Sequence, residues 1–402
     1  MRSGSRRTGV ILALGGAQTL AWGSTYYLPA ILAVPMGETM GTTTGPIYGA
    51  FSAALVLSAL LGPAAGRRID RFGGRDVLAV SSLVFAVGLA TLGAAQSLWM
   101  LYAGWLILGI GMAMGLYEAA FATLAGIYGS SARGAITGIT LLAGLASTIC
   151  WPITALMEAE MGWRAACFAW ATVHVAIGLP VNRFLIPAMP VQMEAPADAP
   201  PDPPRNTPKA NAGLWDRNMV LLAFAFTTTW FISTAMAAHL PRLLQDSGAT
   251  AAGAIAIAAL VGPAQVAGRL LEFGLLQRFH PLLSARLAGA AHPLGVAGLA
   301  LFGAPAAIFF AVVHGAGNGI LTIAKGTVPL ALFGPSGYGL RQGVLSVPAR
   351  FGQAAAPFVF ALAIDRYGAS ALLLSATLGL AGTTALLFLR SQPSGSQVST
   401  AD

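Results

Sequence analysis

Charge is scarce in this sequence. Asp, Glu, Lys and Arg make up 9% of its 402 residues, against 56% hydrophobic residues and a mean hydropathy of +0.72. Soluble domains carry about 25% charge, so a soluble globular chain is excluded. Lysine is nearly absent, with Lys209 and Lys325 alone. Cysteine is limited to Cys150 and Cys167, both in apolar runs, which excludes a disulfide framework and reads as two small buried hydrophobes. A phosphate-cradling Gly-x-x-x-x-Gly-Lys-[Ser/Thr] loop is missing, and with it the basis for ATP-driven work. No His/Cys/Asp/Glu cluster has metal-ligand spacing, so neither a metal nor a cofactor is expected. A cleavable signal peptide is not expected either. Arg2, Arg6 and Arg7 precede an apolar run too long for a signal h-region, and no small-residue cleavage site follows it.

Long apolar runs are what the chain does have. Hydrocarbon about 30 Å thick needs roughly 20 apolar residues per helical span. Runs of that kind occur at 10–33, 45–65, 76–95, 98–126, 134–157, 163–186, 218–245, 250–272, 281–302, 304–332, 342–364 and 369–389. Their continuity predicts helices, because the strands of a membrane barrel alternate over about ten residues. The expected fold is an all-α integral membrane protein with twelve transmembrane helices.

The formal net charge of +8 is a topology signal rather than a nucleic-acid footprint. Of 22 Lys and Arg, all but Arg164, Arg242, Arg366, Lys325 and Arg350 fall in segments on the N-terminal side of the bilayer. Basic loops lie in the cytoplasm, so both termini are expected there, in a multi-pass protein of a bacterial inner membrane. Residues 187–217 hold eight of the 24 prolines, as in Ala199-Pro200-Pro201-Asp202-Pro203-Pro204. Such a segment reads as a cytoplasmic linker. It divides the chain into a six-helix bundle over 1–186 and a second over 218–402.

Repeats support the division. Gly66-Arg67-Arg68-Ile69-Asp70-Arg71-Phe72-Gly73-Gly74-Arg75 ends one apolar span, and Gly268-Arg269-Leu270-Leu271-Glu272 ends another about two hundred residues later, each after a Gly-Pro. Tyr27-Leu28-Pro29 in the first span corresponds to His239-Leu240-Pro241 in the seventh. Gly111 and Gly115 leading to Gly129 match Gly315 and Gly319 leading to Gly334. Duplicated halves are how many transporters are built. The stretch 66–75 resembles the loop-2/3 signature of the major facilitator superfamily, G-x-x-x-D-R-x-G-R-[RK], with one extra residue, Gly74, before Arg75. The resemblance implies two pseudo-symmetric six-helix bundles working by alternating access as a secondary transporter, not an enzyme. It assigns Gly66, Asp70, Arg71, Gly73 and Arg75 to a conformational hinge, with Asp70 accepting bonds from the N-terminus of the eleventh helix. It also directs attention to the first, fourth, seventh and tenth helices as the cavity lining.

Those helices carry polar residues on single faces. His314, Asn318, Thr322 and Lys325 stand at i, i+4, i+8 and i+11 of the tenth span. A lysine inside a span costs about 2.5–3.5 kcal/mol on insertion scales and marks a functional position by default, unless it snorkels to the surface. Glu118 lies at similar depth in the fourth span. It is read as a gate partner of Lys325 across the cleft, as a proton carrier or as half of a fixed ion pair. Gln18, Trp22 and Tyr26 share a face of the first span, and Trp230 lies in the seventh; cavity lining, packing and, for Tyr26, an interfacial belt are the readings open to them. Arg350 in the eleventh span cannot lose its charge and must meet an anion or a neighbour. Arg269 in the eighth is either a counterpart of the hinge Arg67 or a substrate anchor. The monocarboxylate and oxalate–formate transporter branches resemble this chain in placing cations on the eighth and eleventh helices, and that resemblance implies a small organic anion such as a monocarboxylate, moved with a proton or counter-anion. The alternative is a proton-coupled exporter of a drug-like or metalloid toxic compound. Two departures weigh against it: Trp105 stands where such exporters carry arginine, and Trp151-Pro152-Ile153-Thr154-Ala155-Leu156 replaces their Gly-Pro-x-x-Gly-Gly. The expected partners are the substrate, a proton or counter-anion and the bilayer, with no nucleic acid and a monomer as the working unit.

Overall fold

Lipid offers no partner for a bare peptide group, so each apolar run must satisfy its backbone internally as a helix. The computed structural model describes residues 2–188 and 215–390, and within them every run is helical. The first span is built from Arg2–Ala21, a π-turn at Trp22–Tyr26 and Pro29–Thr39. The second is Thr44–Phe72 and the third Arg75–Gly93; the fourth joins Leu98–Gly115 to Tyr117–Tyr128. The fifth starts with Arg133–Ala143 and continues into Ala146–Val173, a helix kinked at Gly162 (φ 78°) that passes into the sixth. The seventh is Arg217–Asp246, and the eighth joins Ala251–Ala259 to Val261–Gly274. Pro281–Phe302, Ala307–Phe333, Tyr338–Tyr367 and Ala371–Phe388 complete the twelve. The linker expected over 187–217 falls mostly on 189–214, outside the described residues.

Large apolar side chains point outward all along the spans, among them Leu60, Leu301, Phe302 and Phe358. This is the inverse of a soluble protein and is what a lipid environment selects. Inside, the N-terminal bundle closes around Trp105, Phe85, Phe121 and Leu14, all essentially inaccessible. Trp105 packs edge-on against Phe51 with ring centroids 5.3 Å apart. The C-terminal bundle has its own clusters around Phe310 with Phe360 and around Phe226 with Val328.

The halves meet most closely where the second span crosses the eleventh. A Cβ on Gly66 would lie 2.0 Å from the Gly339 carbonyl oxygen, and one on Gly343 would lie 2.5 Å from that of Gly62. Two glycines four residues apart on each helix therefore let the backbones touch, the small-xxx-small solution to helix packing in lipid. This crossing closes the molecule on the side of its termini.

Candidate substrate and coupling site

The fourth span does not run straight. Its first helix ends at Gly115, Leu116 is extended (φ −88°, ψ −169°), and a new helix starts at Tyr117. Glu118 therefore occupies the first turn of a helix, where the dipole favours a carboxylate. Gln18 of the first span holds the break, its Nε2 donating to the Gly115 carbonyl at 2.7 Å. With 1% exposure, Gln18 supports the break rather than facing open space.

Glu118 sits between two cations of the C-terminal half. Lys325 Nζ donates to its Oε1 at 2.5 Å and Arg350 Nη2 to its Oε2 at 3.1 Å, with all three residues at least nine-tenths buried. Lys325 also lies over the Trp230 ring, 4.8 Å from its centroid, a placement that adds a cation–π contact. The tenth and eleventh helices are tied together behind it: Gln342 Nε2 donates to the Lys325 carbonyl at 2.8 Å and to the Tyr338 hydroxyl at 2.6 Å. One turn from Arg350, Gln353 Nε2 donates to the Tyr26 hydroxyl at 3.1 Å. Lys325 thus does not snorkel, and Arg350 is occupied by an acid.

Arg269 differs. It is 6% exposed, no ion pair or hydrogen bond engages it among the described residues, and its Nε is buried without an acceptor. Its exposed repeat counterpart, Arg67, lies at the surface. The guanidinium passes close against Gly144 of the fifth span, where a Cβ would lie 1.9 Å from Nη1. Of the three buried cations Lys325, Arg350 and Arg269, the first two share Glu118, and Arg269 makes no ion pair among the described residues.

The expected stripe on the tenth span divides between two places. Eleven residues of helix are about 16 Å long, so its ends meet different neighbours. Lys325 reaches Glu118, whereas His314 turns into the C-terminal bundle, its Nδ1 3.1 Å from His292 Nδ1. His314, Asn318, Thr228 and Thr383 line a cavity of about 30 Å³ there, separate from the charged cluster. Trp22 and Tyr26 stack edge-on, 4.9 Å apart, on the π-turn of the first span, whose wider winding keeps residues four apart on one face.

The hinge residues lie at the closed face. Asp70 accepts from the backbone N–H groups of Gly339 and Leu340, both at 2.8 Å, at the start of the eleventh helix. Gly73 ends the second span at φ 83°, a conformation that favours glycine. The extra Gly74 faces the fourth span, where a Cβ would lie 1.7 Å from Thr123 Oγ1. Arg71 covers the Phe72 ring and Arg75 Nε bonds Asp76 at 3.1 Å. The repeat-related acid, Glu272, is 1% exposed and accepts from Arg133 Nη2 at 2.9 Å, while Arg133 also donates to the carbonyls of Leu276 and Phe279. Arg133 begins the fifth span, so this is a second link between the halves. The sequence reading missed Arg133, Tyr117, Gly144 and His292 as site residues. Only the correspondence of Glu272 with Asp70 pointed toward the second link.

Residues 14–311, about three-quarters of the chain, match the family model of the Major Facilitator Superfamily. The chain belongs to that superfamily. It is therefore a multi-pass membrane protein and a secondary transporter, not an enzyme. No curated protein matches it. Among solved structures it is similar to the Escherichia coli fucose:proton symporter FucP (TM-score 0.70, 17% identity, covering 94% of this chain and 98% of that one). It is also similar to the human organic anion transporter MFSD10 (TM-score 0.69, 17% identity, 94% and 98%) and to the proton:xylose symporter XylE bound to 6-bromo-6-deoxy-D-glucose (TM-score 0.69, 12% identity, 96% and 95%). At these identities the likeness is one of fold.

Proposed function

We propose that this superfamily member transports a small organic anion, a monocarboxylate in the first instance, together with a proton or against a second anion. The observation that carries the reading is Arg269, a permanent cation buried without an acid while Lys325 and Arg350 already share Glu118. An uncompensated buried charge is strongly destabilising, and a carboxylate substrate is the counter-ion that removes the penalty. In this reading Arg269 is the substrate anchor, and Arg350 and Lys325 position Glu118. Glu118 is the only deep acid of the cluster and so the group that exchanges a proton as the halves move. The cycle is alternating access between bundles over 1–186 and 218–402, joined by the linker 187–217, with Asp70 and Glu272 latching the side of the termini. That side is the cytoplasm of a bacterial cell, from the distribution of Lys and Arg, and the working unit is a monomer. The pattern of cations falls nearest the monocarboxylate and oxalate–formate branches.

A thermal-shift screen of the purified protein against carboxylates, neutral sugars and cationic toxic compounds tests the reading, because a ligand of the native state raises apparent stability. Stabilisation by carboxylates that disappears in Arg269→Ala supports it. Stabilisation by a cationic toxic compound alone replaces the anion with the toxic-compound exporter, and stabilisation by a neutral sugar alone removes both readings.

A further inference from the structure

One groove on the outer surface crosses the seam between the halves. It has a volume of about 860 Å³ and runs between the second, seventh and eleventh spans, with Pro63, Val220, Phe224, Val344, Phe351 and Ala355 on its walls. Val220, Phe224 and Phe351 turn outward as lipid-facing side chains do. Thr227 is the one hydroxyl on the lining, and it donates to the Ala223 carbonyl at 2.7 Å. The seventh and eleventh helices touch at the floor, where a Cβ on Gly352 would lie 3.1 Å from Thr227 Cγ2.

The end of the groove on the side of the termini carries three arginines. Arg67 is one turn from Pro63, Arg217 one turn from Val220 and Arg341 one turn from Val344. Residues three or four apart share a helix face, so each guanidinium extends the face that lines the groove. The three also stand at one level. Gly66 meets Gly339, which sets Arg67 beside the start of the eleventh span. The seventh and eleventh spans run in the same direction, so counting back equally from the Thr227–Gly352 contact brings Arg217 level with Gln342. Arg67 and Arg217 are exposed, and no hydrogen bond or ion pair holds either side chain among the described residues. Arg341 is fixed by donating to the Phe333 and Ser336 carbonyls. The acids at this end do not neutralise them: Asp70 is spent on the Gly339 and Leu340 N–H groups and Asp216 on that of Met219. Exposed Trp215 borders the same end, as aromatic residues do at a membrane–water interface.

We propose that this groove binds one anionic phospholipid, an acyl chain in the trough and the phosphate on Arg67 and Arg217, with Arg341 adding its charge. Basic pockets between transmembrane helices suit such headgroups. A soluble anion would use the arginines and leave the apolar trough bare, and a neutral lipid would do the reverse. Arg67 belongs to the first half and Arg217 and Arg341 to the second, so the lipid bridges the halves on the side that Asp70 latches. Arg269 and Glu118 take no part, and the inference is independent of the substrate.

Native mass spectrometry of the full chain tests it, with phosphatidylglycerol, phosphatidylcholine of the same acyl chains and chain-free glycerophosphoglycerol as probes. The wild type is expected to hold one phosphatidylglycerol roughly thirtyfold or more tighter than phosphatidylcholine, at about fivefold per arginine. Arg67→Gln with Arg217→Gln should bring the two lipids within a few-fold of each other and leave phosphatidylcholine binding unchanged. If that variant does not fold, Arg217→Gln alone should show the single fivefold step. Ala355→Trp, at an exposed position, fills the trough and should weaken both lipids. Equal affinity for the two lipids in the wild type, or an unchanged preference in the arginine variants, would overturn the proposal. Glycerophosphoglycerol binding as tightly as phosphatidylglycerol would overturn it too, in favour of a soluble anion.

Discussion

Glu118 holds Lys325 on one carboxylate oxygen, at 2.5 Å, and Arg350 on the other, at 3.1 Å. One acid of the N-terminal half thus anchors two helices of the C-terminal half. Removing the acid leaves both cations without a counter-ion, which costs about 3–5 kcal/mol for a buried pair. Glu118→Gln should therefore melt well below the wild type and lose transport. In the exchange Glu118→Lys with Lys325→Glu, Arg350 still faces the new lysine, so recovery should be partial. A double exchange no better than either single variant, in vesicle uptake and in thermal melts, would argue against direct pairing.

Asp70 accepts two backbone N–H groups at a helix start. An amide keeps one oxygen and loses the charge, forfeiting a dipole interaction of about 0.3–1 kcal/mol and part of two charge-assisted bonds. Asp70→Asn should lower transport at normal membrane abundance and raise access to the side of the termini. Cysteine-labelling rates at positions introduced on that face would record it, with the buried Cys150 and Cys167 as a low background.

Glu272 and Arg133 make the second latch, in the repeat-related position. Glu272→Gln should act like Asp70→Asn, and the two together should open that side further than either alone. Distances between spin labels on the second and eighth spans' loops would show it. A double variant as closed as the wild type would remove the latches from the account.

How much of this was legible in the sequence follows from which forces act locally. The spans were, because a run of about 20 apolar residues in lipid has one solution. The deep charges Glu118, Lys325 and Arg350 stood out for the same reason, as rare exceptions. The break at Leu116 was hidden: Gly115 marks it no more clearly than other glycines in the same span, and Gln18, which holds it, is nearly a hundred residues away. The roles of Arg269 and Arg67, equal in the repeat, diverge because Gly144 on another helix makes room for one guanidinium. The extra residue in the motif has to be a glycine because Thr123 lies across the helix interface where its Cβ would stand. The stripe from His314 to Lys325 read as one surface because periodicity reports a face and not the neighbours along it.

The hydrogen bonds around the histidine pair predict one tautomer for each ring. Ser375 Oγ donates to the Leu372 carbonyl at 2.8 Å, so it can only accept from His292 Nε2, 3.0 Å away. Neutral His292 then has a bare Nδ1, which accepts from His314 Nδ1–H. Nitrogen NMR of labelled histidines should find the proton on Nε2 of His292 and on Nδ1 of His314. The opposite assignment would mean that the serine hydroxyl is turned away from Leu372.

The most direct measurement of the central claim is a set of carboxylate binding isotherms for the wild type, Arg269→Lys and Arg269→Ala. A guanidinium grips a carboxylate through two parallel bonds that an ammonium cannot reproduce. The account predicts measurable binding in the wild type, a loss of about tenfold or more in the lysine variant, equal to about 1.4 kcal/mol, and none in the alanine variant. Equal carboxylate affinity in all three proteins, or a wild type that binds only neutral or cationic compounds, would contradict it.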